Sequence, residues 1–104
     1  MLDHARMDEL KAEIGEEDFA EVLEMFVEEI EAQLSRLTDH LTAGRMAEEL
    51  HALKGSALNV GFHAFADMCQ KAEVALKSDD DMTDLNHRLR SAFHASRAAA
   101  QRLV

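Results

Sequence analysis

The chain has 104 residues, no Pro and no Trp, only four Gly, and 21 Asp plus Glu against 11 Lys plus Arg, a formal net charge of −10. That length supports one core, so residues 1–104 are expected to form one domain, and a separate cofactor domain is excluded. The negative charge disfavours nucleic acid and anionic membrane surfaces as partners. One cysteine, Cys69, cannot form an internal disulfide, and no apolar run reaches the length of a membrane span or signal-peptide core. The expectation is a cytoplasmic protein.

Met7, Leu10 and Ile14 recur at helical spacing and stop at Gly15, which predicts a first helix of about three turns. A second, longer stripe of Phe19, Val22, Leu23, Phe26, Val27, Ile30, Leu34, Leu37 and Leu41 follows the acidic "EED", a favourable helix start. Its other face carries Glu21, Glu24, Glu28, Glu29 and Glu31, read as a solvated surface. Gly44 marks the next turn, and a third helix is predicted from about Met46 to Val60, ending near Gly61. A fourth helix places Phe62, Phe65, Ala66, Cys69, Ala72 and Leu76 on one side. A fifth follows "SDDDM" with Leu85, Leu89, Phe93 and Leu103 inward. Four substantial helices with short connections predict an all-α, antiparallel up-down-up-down four-helix bundle, with the short N-terminal helix as a cap.

The third helix contains the one glycine predicted inside an element, Gly55, where glycine costs about 1 kcal/mol relative to alanine. Met46, Leu50, Leu53, Ala57 and Val60 cluster on one face at about 100° per residue, and His51 projects roughly 140° from the centre of that face. His51 should therefore face solvent. Ala47 and Gly55 flank it one turn on either side, and their small side chains leave the imidazole open. Lys54 can place an ammonium beside the ring, which makes best sense if the ring carries an anion such as a phosphoryl group. The neutral imidazole is the nucleophilic form and is abundant near neutral pH. Leu58 falls near the same face, an exposed apolar side chain where a docking surface would want one.

The run "HALKGSALNVG" resembles the signature of histidine-containing phosphotransfer (Hpt) domains: His51, Leu53, Lys54, Gly55, Ser56 and Gly61, then Cys69 and the acidic Glu73. The resemblance implies that His51 accepts a phosphoryl group and exchanges it with an aspartate of a response-regulator receiver domain. Lys54 would be the cation beside that group, and Gly55 the gap through which the receiver approaches. Leu53, Ser56, Gly61 and Cys69 would serve packing and turns. Members of this family meet a hybrid or chemotaxis-type histidine kinase upstream, and the receiver supplies Mg²⁺, so no cofactor or metal is expected on this chain. The sequence shows no Gly-rich nucleotide loop, which fits a phosphocarrier without kinase activity of its own. Leu50 stands before the histidine where the family often has alanine, at the edge of the core stripe, a difference that could alter receiver choice. A chain running from Met1 to just past the last helix favours the free-standing form over a piece of a kinase, and the exposed His51 helix argues against burying that face in a dimer, so a monomer is expected.

Two other readings stay open. One is a helical interaction module that binds a receiver or kinase without carrying phosphate. The other is a metal-binding bundle, suggested by six histidines and the pair His63 and Asp67 at i, i+4. Against the latter, "Glu48-x-x-His51" faces solvent, and "DDDMTDLNHRLR" lacks the glycine and terminal Glu of a calcium loop. His4, His40, His87 and His94 are read as surface or structural residues, and Cys69 as a buried inert thiol.

Overall fold

A computed structural model describes residues 2–37, 42–77 and 83–102, the side chains of 83–85 excepted. Among them are five α-helices and no strand: α1 (His4–Ile14), α2 (Glu16–Ser35), α3 (Ala43–Val60), α4 (His63–Lys77) and α5 (Thr83–Gln101).

The first three helix starts have local causes. The Asp3 carboxylate accepts from Arg6 N–H at 3.1 Å to cap α1, and the Thr42 hydroxyl accepts from Arg45 N–H at 3.2 Å to cap α3. Glu16, Glu17 and Asp18 form the first turn of α2, where the helix dipole favours negative charge. They belong to the helix rather than preceding it. The Thr42 cap starts α3 three residues before Met46, so Gly44 lies in its first turn and is not the boundary that its composition suggested.

The third helix ends by a Schellman arrangement on Gly61. Gly61 takes φ +84° and ψ +19°, its N–H reaches the Leu58 carbonyl at 3.2 Å, and the N–H of Phe62 reaches the Ala57 carbonyl at 2.8 Å. Phe62 is fully buried but lies in this turn, not on the fourth helix.

The core joins Met7 and Leu10 of α1 to Phe19, Leu23, Val27, Ile30 and Leu34 of α2, the inner faces of α3 and α4, and Leu89 and Phe93 of α5. Leu37 is buried just past the end of α2, while Leu41, Leu103 and the side chain of Leu85 lie outside what the structure describes. The closest helix pair is α3 with α4; α4 also packs on α5, α2 on α3, and α1 on both α2 and α3. Phe65 of α4 meets Phe93 of α5 with ring centroids 5.6 Å apart and planes at 59°, a favourable tilted aromatic pair.

The inner stripe of α3 determines what is left outside. Met46, Leu50, Leu53, Ala57 and Val60 are all buried, and Leu50 and Leu53 have no exposed surface. Each such leucine contributes about 1.5–3 kcal/mol by leaving water, which fixes the rotation of the helix about its axis. Leu50, at the edge of that stripe, is nonetheless fully buried. His51, one residue on, is turned to the outside.

Candidate functional site

The His51 side chain is 79% exposed. Gly55, one turn on, is exposed, and a Cβ added there would have no heavy atom of another part of the molecule within 4 Å. Ala47, one turn back, is half-buried, and Leu58 is 45% exposed. The imidazole therefore stands on an exposed strip of α3 with only small residues four positions before and after it.

Helix α4 lines one side of this strip. Glu73 Oε1 lies 3.7 Å from His51 Nδ1, while the Glu73 side chain is only 19% exposed. That oxygen is buried and has no hydrogen-bond partner, although buried carboxylate oxygens nearly always have one. A small rotation of the exposed ring would bring Nδ1–H into hydrogen-bond range, as catalytic contacts commonly tighten only when a substrate arrives. One turn before Glu73, Gln70 Oε1 accepts a 2.5 Å hydrogen bond from Lys54 Nζ. His51 opposite Glu73 and Lys54 opposite Gln70 show that α3 and α4 run antiparallel here.

Cys69 lies beneath this pair of contacts, free and fully buried. Its thiol is pushed up from 9.0 to about 12, first by burial, then by the charge of Glu73, with Lys54 acting in the opposite direction. The thiol is thus protonated at neutral pH and is not a nucleophile.

The other residues singled out from the sequence fall beneath or beside the strip. Leu53 is in the core, Ser56 is half-buried, and Gly61 forms the buried turn. His63 and Asp67 come within 3.7 Å of each other on exposed α4 surface. Among the described residues no group of three or more His, Cys, Asp or Glu is arranged to hold a metal ion. No helix among them is long and apolar enough to cross a membrane. His4, His87 and His94 are exposed; His40 is outside the described residues.

Two features of the site escaped the sequence reading. No motif or periodicity points to Gln70, and the resemblance gives Glu73 only as an acidic position without a contact. A signal for both does exist: His51 and Glu73 lie equally far from Phe62 along the chain, as do Lys54 and Gln70. Folding the sequence back at the Gly61–Phe62 turn brings each pair together.

The site is thus an exposed imidazole on a helical scaffold, with small residues one turn to either side, the Glu73 carboxylate near Nδ1, and the Lys54 ammonium on the next turn of the same helix. The Hpt domain family model matches residues 21–102, and the chain belongs to that family. Its members are phosphocarrier modules of phosphorelays that work with receiver domains and histidine kinases. Searches of curated proteins and of solved structures gave no match. Helix α1 lies outside the matched residues.

Proposed function

We propose that this chain is a single Hpt domain, built on an antiparallel up-down-up-down bundle of α2 to α5, that accepts a phosphoryl group on His51 and exchanges it with receiver aspartates. The observation that carries this reading is the solvent-facing His51 whose Nδ1 is directed to Glu73 at 3.7 Å. A proton held on Nδ1 by that carboxylate leaves the lone pair on Nε2, the outward nitrogen, for attack on phosphorus.

In the forward direction, Nε2 attacks the phosphorus of an aspartyl phosphate. The Nε2–P bond forms as the P–O bond to the aspartate breaks, and the aspartate leaves with the electron pair as a carboxylate. The proton on Nδ1 stays there, and Glu73 balances the positive charge that the ring acquires. Lys54 supplies positive charge for the phosphoryl oxygens, and the gap at Gly55, with Ala47 and Leu58 along the same strip, admits the receiver. Transfer of this kind depends on positioning and charge neutralisation, and the receiver brings the acidic pocket and Mg²⁺. The chain is a carrier without kinase activity of its own, acting between a hybrid or chemotaxis-type kinase and a receiver.

The test is to incubate the chain with a phosphorylated receiver domain, or with a hybrid kinase and ATP, and to measure intact mass. An acid-labile phosphoryl adduct is expected, and His51→Gln should abolish it. Labelling that survives His51→Gln, or that never occurs with any cognate receiver, would overturn the assignment.

A further inference from the structure

The two polar contacts between α3 and α4 are separate, and their separation has chemical content. Glu73 and Gln70 lie one turn apart on α4, facing His51 and Lys54 respectively. An ammonium near a partly buried carboxylate with an unpartnered oxygen would ordinarily pair with it, because opposite charges attract more strongly than a charge and a neutral amide. Here Lys54 donates instead to the neutral amide oxygen of Gln70 at 2.5 Å, and Glu73 is left to His51. Both their charges act on the buried Cys69 thiol, Glu73 raising its pKa and Lys54 lowering it.

We propose that Gln70 is a positioning residue for phosphoryl transfer, one that holds the Lys54 ammonium off Glu73. This deepens the reading of His51 as the phosphoacceptor and rests on it. Two consequences follow from one side chain. The Glu73 carboxylate keeps its full charge for Nδ1–H, which keeps the ring in the tautomer whose Nε2 is nucleophilic. Lys54 is held by a neutral partner that it can leave when a more strongly attracting phosphoryl group arrives on Nε2. Were Lys54 paired to Glu73, the carboxylate would be shared and the ammonium would have to break an ion pair to reach the phosphate.

The test is a pair of variants with two readouts. Gln70→Leu removes the acceptor at similar size, and Gln70→Leu combined with Lys54→Ala removes the cation it restrains. The first readout is the His51 tautomer ratio from ring ¹⁵N shifts, which needs no partner. The second is the rate of phosphoryl acceptance from a phosphorylated receiver. Circular dichroism should show both variants as helical as the parent, since Gln70 is exposed. In Gln70→Leu the Nδ1–H tautomer should decrease and acceptance should slow about fivefold, a coupling typical of residues in one polar network. Adding Lys54→Ala should restore the tautomer ratio, because nothing then competes for Glu73. An unchanged tautomer ratio in Gln70→Leu, or the same loss with and without Lys54, would overturn the proposal. If the parent chain takes no label at all, the phosphoacceptor reading fails on its own, and the tautomer ratios still decide whether Gln70 separates Lys54 from Glu73.

Discussion

The carbonyl of Gly61 accepts a 2.7 Å hydrogen bond from the backbone N–H of Asp3, tying the start of α1 to the turn that joins α3 and α4. Arg6 strengthens the tie, donating from Nε to the Asn59 carbonyl at 2.9 Å and from Nη2 to the Asn59 side-chain oxygen at 3.0 Å. A Cβ at position 61 would come within 3.0 Å of both the Asp3 carbonyl oxygen and Met7 Cγ, at a φ that L residues rarely adopt. Gly61→Ala should therefore cost about 1–2 kcal/mol for the left-handed backbone alone, and more for the displaced α1. Urea denaturation should show a lower midpoint, and hydrogen exchange should show the largest loss of protection in α1 and at the turn.

Gly55 behaves in the opposite way. With open space at its Cβ position and an ordinary helical setting, Gly55→Ala should raise stability by about 0.5–1 kcal/mol. Gly55→Leu should keep the helix but slow phosphoryl exchange with a receiver by covering the approach to His51. If the leucine variant exchanges at the parental rate, the glycine has no role in docking.

Removing the charge of Glu73 should separate stability from function. Its buried Oε1 has no hydrogen-bond partner, so Glu73→Leu is expected to leave stability unchanged or raise it by about 1 kcal/mol, the order of relieving one unsatisfied buried polar atom. Acceptance of phosphate on His51 should fall in the same variant. A thermal melt alongside a transfer assay measures both, and a variant that transfers normally would remove Glu73 from the mechanism.

Cys69 gives a pH prediction with a defined sign. The folded thiol ionises near 12, against 9.0 in the absence of burial. Below pH 9 the thiol is protonated in both folded and unfolded chains, and its contribution to stability is fully present. Above pH 9 the unfolded chain loses the proton first, so stability should fall by about 1.4 kcal/mol per pH unit as the pH rises toward 12. Denaturation curves between pH 8 and about 11 should show this slope in the parent and a shallower one in Cys69→Ala. Alkylation of the native protein at pH 8 should be negligible and should proceed on unfolding.

The helices were legible because their causes are local. The spacing of Phe19, Leu23, Val27, Ile30 and Leu34 is the buried face of α2, and the spacing of Leu50, Leu53, Ala57 and Val60 both built α3 and turned His51 outward. The start of α3 lies earlier than Gly44 suggests, because the Thr42 side-chain oxygen supplies the cap. The α4 contribution to the site was not read because it requires the register of two packed helices, which no periodicity within one helix contains. The clamp of α1 on Gly61 was hidden for a similar reason: a glycine explained by its own turn gives no hint that another helix lies against it.

The distribution of charge gives the molecule an orientation. Helix α2 carries Glu16, Glu17, Asp18, Glu21, Glu24, Glu28, Glu29 and Glu31 with no Lys or Arg. On α3 and α4, by contrast, Glu48, Glu49, Asp67 and Glu73 are matched by Arg45, Lys54, Lys71 and Lys77. Among the five helices, the negative charge is thus concentrated on α2, while the two helices that present His51 carry equal numbers of acidic and basic side chains. If an acidic receiver pocket is the partner, as proposed, like-charge repulsion would steer it from α2 toward the balanced α3–α4 surface before the surfaces touch.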